Sequence, residues 1–438
     1  MPSLPAVRRA DPQDSCPGAL RIHQAADGGL ARVRVPGGTL TGRQWQVLLA
    51  AAQELGNGQL ELTSRGNLQL RGLGPGDEVP LAGQLRDAGL LPSPTHERVR
   101  NLLASPLSGR DGGGLLDIRP LIAEFDAALC ARPALAELSG RFLFALDDGR
   151  ADVLAGGPDI AVTASAPDSL RLLLAGQYAG VRVSRDRAIE LMLAAAEAFL
   201  AERQAQGANA WRLAELSDGP ARVASRLRVA GPVTGRSDAD PRPTAHPAAS
   251  PLPPGPIRQR DGATALVIGI PLGGLDAAKA TALTRPQLIL TPWRSIVLPD
   301  LGTDEVTDLL TAYAELGMIT DGADPLRDVT ACTGRPGCAS ALSDVRADAI
   351  AVHRSAAPGP LADRGPLAGG VHWSGCARRC GRPAGTVTDV IATGSGYEVS
   401  SADRAVEVGS APAELAAALA IRSSAPAGYH RTATAGAR

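Results

Sequence analysis

The chain has 438 residues, 44% of them hydrophobic, and a formal net charge of −1. This is enough for two or three domains with full cores, and it offers neither nucleic acid nor an anionic membrane a long-range attraction. An aromatic content of 3% leaves no stacking platform for single-stranded nucleic acid, and no apolar run reaches the ~20 residues needed to span a bilayer.

The N-terminal stretch MPSLPAVRRADPQDSCPG has no apolar h-region, so a cytoplasmic chain is expected. Within it Cys16 lies in a turn-like SCPG, as a reactive or metal-binding thiol or as a plain turn residue. Thr41-Gly42-Arg43-Gln44 reads as a capping box opening the helix WQVLLAAAQEL, which Gly56 or Asn57 closes. Leu60/Leu62 and Leu68/Leu70 alternate with polar residues, which predicts two half-buried strands around a Ser64-Arg65-Gly66 turn. A helical pattern covers 121–138, broken near Pro133, with Cys130 in its apolar stripe as a buried small residue. A second helix, IELMLAAAEAFLAERQ, follows Asp186-Arg187-Ala188 and should lay its apolar stripe on a sheet.

Residues 231–256 contain eight prolines and almost no large apolar side chain, the composition of an extended linker. Beyond it the chain repeats itself. LELTSRGNLQLRGLG at 60–74 superposes without a gap on LILTPWRSIVLPDLG at 288–302, an offset of 228. Up to Gly89 and Gly317, eight of thirty positions are identical, which implies two pseudo-equivalent α+β halves rather than a solenoid. In the second copy Thr303 is expected to cap DEVTDLLTAYAEL, a helix ending at Gly317.

Cys332 and Cys338 stand in CTGRPGC, Cys376 and Cys380 in CARRC. Four thiolates converging from two loops suit a [4Fe–4S] cluster, and Pro336-Gly337 and Gly375 allow the tight turns that wrapping one requires. Structural zinc prefers closer pairs, an unexported chain disfavours a disulfide, and four unligated buried thiols are the remaining reading.

The motif TSRGNLQLRG, the segment ERVRNLLASPLSG and the C-x5-C with C-x3-C set together resemble the sulfite and nitrite reductase superfamily, which carries a [4Fe–4S] cluster beside sirohaem. The resemblance covers most of residues 15–420. Within the superfamily the CPG-containing N-terminus, LTPWR at 290–294 and HWSGCARRCGRP at 372–383 are similar to the oxygen-dependent precorrin-3B synthase family of aerobic cobalamin biosynthesis.

The resemblance implies a duplicated α+β architecture. Its parts are a ferredoxin-like half-domain over 15–80, a macrocycle-binding α/β domain over 81–230, a linker over 231–262, a second half-domain over 263–320, a cluster domain over 321–425 and a disordered tail over 426–438. It places Arg65 and Arg100 above the macrocycle. A Lys-x-Lys pair of the reductases is represented by Arg141-Phe142-Leu143, so one cation is lost, which disfavours anion reduction and suits neutral O2. Arg65, Arg100 and Arg141 are the catalytic candidates. With Arg71 and Arg119 they are also candidates to grip the carboxylate rim of precorrin-3A through planar guanidinium forks; for each alone, a solvated surface arginine is the plain alternative.

The activity implied is hydroxylation of precorrin-3A at C20 by O2 with γ-lactone formation. It would use the cluster, a mononuclear non-haem iron, and NADH or a reduced carrier as electron donor. His372 is the best-placed imidazole for that iron or for a hydrogen bond near the cluster, while His23, His96, His246, His353 and His430 carry no signal of their own. The alternatives are a sirohaem-dependent sulfite or nitrite reductase and a non-catalytic iron–sulfur electron carrier.

Overall fold

A computed structural model of the chain describes residues 14–230, 251–355, 370–383, 385–401 and 404–423. They form two compact units, one ending at Gly322 and one beginning at Ala323. The core of the Pro-rich stretch, 231–250, and the expected tail lie outside the described residues.

The first copy runs β1 (His23–Ala25), β2 (Gly28–Val33), β3 (Thr39–Thr41), α1 (Gly42–Glu54), β4 (Leu60–Leu62), β5 (Leu68–Leu73) and α2 (Glu78–Asp87). It continues through β6 (Leu102–Ala104), α3 (Arg119–Cys130), β7 (Phe144–Asp147), β8 (Ile160–Ala166), β9 (Ser169–Leu174), β10 (Gln177–Val183), α4 (Arg185–Ala205) and α5 (Gly219–Ala230). The second copy opens with β11 (Gly255–Arg258), β12 (Thr264–Gly269), β13 (Gly274–Leu275), α6 (Ala277–Ala282), β14 (Gln287–Leu290), β15 (Ser295–Leu301) and α7 (Thr303–Glu315). It closes with β16 (Val329–Ala331), α8 (Val345–Ser355), β17 (Val371–Ser374), β18 (Thr388–Ala392), β19 (Tyr397–Ser401), β20 (Arg404–Val408) and α9 (Pro412–Ser423).

The two half-domains exchange a strand. One sheet has the order β1-β2-β5-β4-β13 and the other β11-β12-β15-β14-β3, so each ends on a strand from the opposite copy. Leu40 of β3 pairs with Leu288 of β14, and Leu275 of β13 with Leu60 of β4. One apolar core accordingly joins Trp45, Leu48, Leu60 and Leu70 to Leu266, Leu288, Ile296 and Leu298. The Trp45 indole donates to the Ala280 carbonyl at 2.9 Å, a further tie between copies.

The other two sheets repeat one topology. β6, β7 and β8 are parallel and continue antiparallel into β9 and β10; β16 to β20 do the same. The aligned row Leu102, Phe144, Ile160 corresponds to Val329, Val371, Thr388, at offsets of 227, 227 and 228. The duplication therefore extends far beyond the segment legible in the sequence. Its offset is 235 at the starts of α1 and α6 (42 and 277) and 228 at β4 and β14 (Leu60 and Leu288), because α1 has 13 residues and α6 has 6.

Several local expectations hold and several need correction. The Thr41 hydroxyl accepts from the Gln44 amide at 3.2 Å while the Gln44 side chain accepts from the Thr41 amide at 3.0 Å, the reciprocal capping box. Thr303 is not a cap: it is the first helical residue, Gly302 is the N-cap, and the Gly302 amide donates to Glu305 at 3.1 Å. β4 is buried on both faces, since Glu61 is covered and accepts from Gln69 at 3.0 Å. Residues 255–258, expected as linker, form β11 and pair with β12. Cys130 ends α3 only half-buried, its thiol pushed up by burial and by Asp126.

Candidate functional sites

In the first unit, arginines converge on one polar face. Strand alternation puts Arg32 and Arg34 two residues apart on the same side of the chain at the end of β2, and the turn between β4 and β5 supplies Arg65. Arg34 is 2% exposed; its Nε donates to the Arg98 carbonyl at 3.1 Å, its Nη2 to that of Gly140 at 3.3 Å, and its Nη1 has no hydrogen-bond partner. Arg65 donates to the same Gly140 carbonyl at 3.4 Å, and the Asn101 amide does so at 2.8 Å. Arg141 lies over the Trp211 ring at 4.8 Å, a cation–π contact. Arg212 is paired with Asp159 at 2.6 Å.

The electrostatics follow from this crowding. Burial lowers Arg34 to about 9, with Arg32 adding to the effect and Cys16 opposing it. Burial lowers Arg65 to about 10, with Arg212 and Arg32 pushing the same way and Cys16 and Asp159 the other. Burial also lowers Arg32, helped by Arg141 and opposed by Cys16 and Glu61. Arg34 and Arg65 stay charged at neutral pH, so the face is a concentration of positive charge around Cys16. Asp14 holds its floor, accepting from Ser139 at 2.7 Å, from the Gly140 amide at 2.8 Å and from Arg98 at 3.1 Å. Such a set of planar, desolvated forks suits carboxylates or another anion.

Of the five expected arginines the structure brings Arg65 and Arg141 to this face. Arg71 forms a bidentate pair with Asp27, both contacts 2.8 Å, and Arg100 one with Asp126, both 2.7 Å, while Arg100 Nη1 reaches the Leu90 carbonyl at 2.8 Å. Arg119 is paired with Asp117 at 2.9 and 2.8 Å. Arg100 and Arg119 line a different cavity, of about 330 Å³, with Arg110 and Asp126. Their forks are filled by aspartates close in the fold, so they brace elements rather than join the cluster. Leu143 is likewise a core residue, packed with Leu103, Ala145, Val153, Ala161 and Leu173; it offers its amide to Asp159 at 2.9 Å. Arg32, Arg34, Arg98 and Arg212 went unnoticed in the sequence, although the alternation Arg32-Val33-Arg34-Val35 was a usable signal.

The second unit carries the cysteines on loops at the C-terminal ends of two adjacent parallel strands, β16 and β17. The Cys332 amide donates to the Trp373 carbonyl at 2.9 Å, and the Gly375 amide donates to Cys332 Sγ at 3.1 Å. Burial raises the Cys380 thiol, and Cys332, Cys376 and Cys338 raise it further, which shows all four sulfurs in one neighbourhood. All four are free thiols, and among the described residues no three His, Cys, Asp or Glu side chains are placed to hold a single metal ion. Four separated thiols with an amide aimed at sulfur fit a multi-iron cluster better than zinc. The mononuclear iron implied by the resemblance finds no such ligand set among the described residues.

His372 is fully buried on β17, its Nδ1 2.9 Å from the Thr330 hydroxyl. His353 accepts from the Trp373 indole at 3.4 Å, and burial lowers it to about 4. His96 is tied to Ser93 at 2.9 Å and to the Arg132 carbonyl at 3.0 Å, and His23 is exposed. His246 and His430 lie outside the described residues. Among the described residues no helix is long and apolar enough to cross a membrane.

Residues 23–88 match the nitrite/sulfite reductase ferredoxin-like half domain. The chain is 28% identical over 397 residues to a precorrin-3B synthase of Sinorhizobium sp, covering 87% of this chain and 81% of that protein. It is 26% identical over 397 residues to a ferredoxin–nitrite reductase of Synechococcus elongatus, covering 81% and 74%. The structure of the Mycobacterium tuberculosis NirA protein superposes with a TM-score of 0.71 at 20% identity, over 90% of this chain and 80% of that one, and so shares its fold. With this half domain, the strand-exchanged duplication and similarity along most of its length, the chain is a member of the sulfite and nitrite reductase superfamily.

Proposed function

We propose that the protein hydroxylates precorrin-3A at C20 with O2 and closes the γ-lactone of precorrin-3B. The observation that carries this reading is the face of Arg32, Arg34, Arg65 and Arg141, whose lateral forks suit a macrocycle rimmed with acetates and propionates. Similarity to a precorrin-3B synthase over 87% of the chain supports the same reading. One oxygen atom would enter the substrate and the other leave as water, with two electrons from NADH or a reduced carrier. A [4Fe–4S] cluster held by Cys332, Cys338, Cys376 and Cys380 would supply electrons singly, as chemistry with triplet O2 requires. Arg65 holds rim carboxylates, the buried Arg34 braces it through the shared Gly140 carbonyl, and Arg141, stacked on Trp211, orients the ring edge.

Sirohaem-dependent nitrite or sulfite reduction is the second reading, favoured by the nitrite reductase relatives. The burial of Leu143 in an apolar cluster, where the reductases place a cation, weighs against it. Anaerobically purified protein should lack the intense visible bands of sirohaem, convert precorrin-3A only with O2 and a reductant, and place label from ¹⁸O2 in the product hydroxyl. Stoichiometric sirohaem with turnover of nitrite or sulfite would replace this reading by the second.

A further inference from the structure

The two parallel-stranded sheets are copies, and the loops leaving them correspond residue by residue. The Ser105 amide donates to the Leu146 carbonyl at 3.2 Å as the Cys332 amide does to Trp373 at 2.9 Å; the Leu115 amide donates to Asp148 at 2.7 Å as that of Leu342 does to Gly375 at 2.8 Å. Each of these correspondences has an offset of 227. The second loop is one residue shorter in the first copy, which shifts the offset to 228. There Ala151 and Arg379 both carry positive φ, 63° and 50°, although neither is glycine.

On this alignment Ser105-x5-Asp111 stands where Cys332-x5-Cys338 does and Asp152 where Cys380 does, while Asp148, at the place of Gly375, brings its carboxylate in one position ahead of Cys376. The first-copy residues converge. The Ser105 hydroxyl donates to Asp152 at 2.6 Å and accepts from the Asp148 amide at 3.2 Å, just as Cys332 Sγ accepts from the Gly375 amide. Arg150, the counterpart of Arg378, turns into the middle. It donates to both oxygens of Asp111 at 2.8 Å and to Asp148 at 2.9 and 3.0 Å, and its Nε lies 3.9 Å from Asp152 Oδ2.

We infer that Ser105, Asp111, Asp148 and Asp152 form a second cradle, the internal duplicate of the cysteine cradle, in which Ser105, Asp111 and Asp152 stand for three of the thiols, Asp148 adds a carboxylate from the place of Gly375, and the Arg150 guanidinium is the resident cation. One guanidinium does not satisfy it. Asp152 is 6% exposed and the neighbouring Asp147 fully buried, and the Oδ2 atom of each has no hydrogen-bond partner. Burial drives Asp152 up to about 7, and the nearby Asp147 carboxylate adds to the rise. Among the described residues no group of three His, Cys, Asp or Glu side chains is set for a metal ion as the side chains stand. Without Arg150 the same oxygens suit a hard divalent cation rather than iron–sulfur.

The test is thermal unfolding of the full-length chain titrated with calcium chloride. Wild type should not respond, whereas Arg150→Ala should be destabilised in EDTA and recover on the order of 5 °C in millimolar calcium. Adding Asp111→Asn to Arg150→Ala should abolish most of that recovery. If Arg150→Ala does not fold in EDTA, its refolding yield with and without calcium gives the same answer. An equal calcium response in wild type and variant, or none in either, overturns the inference. A second arm tests the duplication: Ser105→Cys, Asp111→Cys, Asp148→Cys and Asp152→Cys combined with Arg150→Ala should about double iron and acid-labile sulfide per chain after anaerobic reconstitution. Unchanged iron in protein with wild-type circular dichroism removes the correspondence.

Discussion

Arg65 shares a carbonyl with Arg34 and lies among other guanidiniums, whereas Arg100 has both arms on Asp126 and a third bond to Leu90. Their alanine variants should therefore fail in different assays. Arg65→Ala should weaken macrocycle binding by about 2 kcal/mol, the scale of a lost charge-assisted contact, with little change in unfolding. Arg100→Ala should cost roughly 2–3 kcal/mol of stability in a urea titration, because it strands Asp126, which is only partly exposed. The reverse pattern would exchange their roles. Alanine at Cys332, Cys338, Cys376 or Cys380 should remove most iron and sulfide from anaerobically purified protein, and Cys130→Ala should not; full cluster content in any of the four variants refutes that assignment. His353 gives the acid limit. Its folded value, about 4, lies below the unfolded 6.5, so its contribution is present above pH 6.5 and lost as pH falls through 4. The loss amounts to about 3 kcal/mol, and His353→Gln should flatten this part of the stability profile.

At the scale of elements, the strand exchange rests on a tight passage into β3. Gly38 has φ of 71°, and a Cβ there would lie 2.0 Å from the Leu290 carbonyl oxygen. That oxygen belongs to β14, the strand β3 joins. Gly38→Ala combines a left-handed backbone with a clash against main chain that cannot rotate away, and should cost roughly 2–4 kcal/mol in chemical denaturation. A cost below about 0.5 kcal/mol would mean that the crossing relaxes easily. The duplicated helices α1 and α6 show how loosely length is held by comparison: two turns disappear, yet β4 and β14 resume the same register against β5 and β15.

For the whole molecule, the shared core makes the first unit one folding unit although its copies are far apart in sequence. Residues 1–230 expressed alone would lack the partner of β3 and leave Leu40, Leu48 and Trp45 without the Leu288, Ile296 and Ala280 side of the core. Residues 251–322 alone should show no cooperative thermal transition by circular dichroism, and co-expression with 1–230, which keeps the separate core of Phe125, Phe144, Leu172 and Phe199, should restore one. Independent cooperative melting of 251–322 would show that the exchanged strand is dispensable.

Local chemistry was readable from the chain itself: the capping box at Thr41, the paired strands around Arg65 and the spacing within each cysteine pair are patterns in which each signal lies within a few positions of its partner, and thirty residues of the repeat show as identity at a fixed offset. The resemblance to the superfamily followed from them. What required the tertiary structure was every property set by residues distant in sequence. An arginine in a bidentate aspartate pair and one in a cationic cluster look alike in a sequence, so Arg100 and Arg65 could not be told apart, and Arg34 and Arg212 passed unnoticed. The sequence marks Leu143 as the place of a lost cation and not as a core residue, because its burial depends on β6, β8 and β9. The exchange of β3 and β13 leaves no local mark, since strand pairing is decided by the hydrogen-bond edge available after collapse. The second cradle was hidden for the same reason: serine and aspartate share no letter with cysteine, and only the common backbone path shows that they occupy its places.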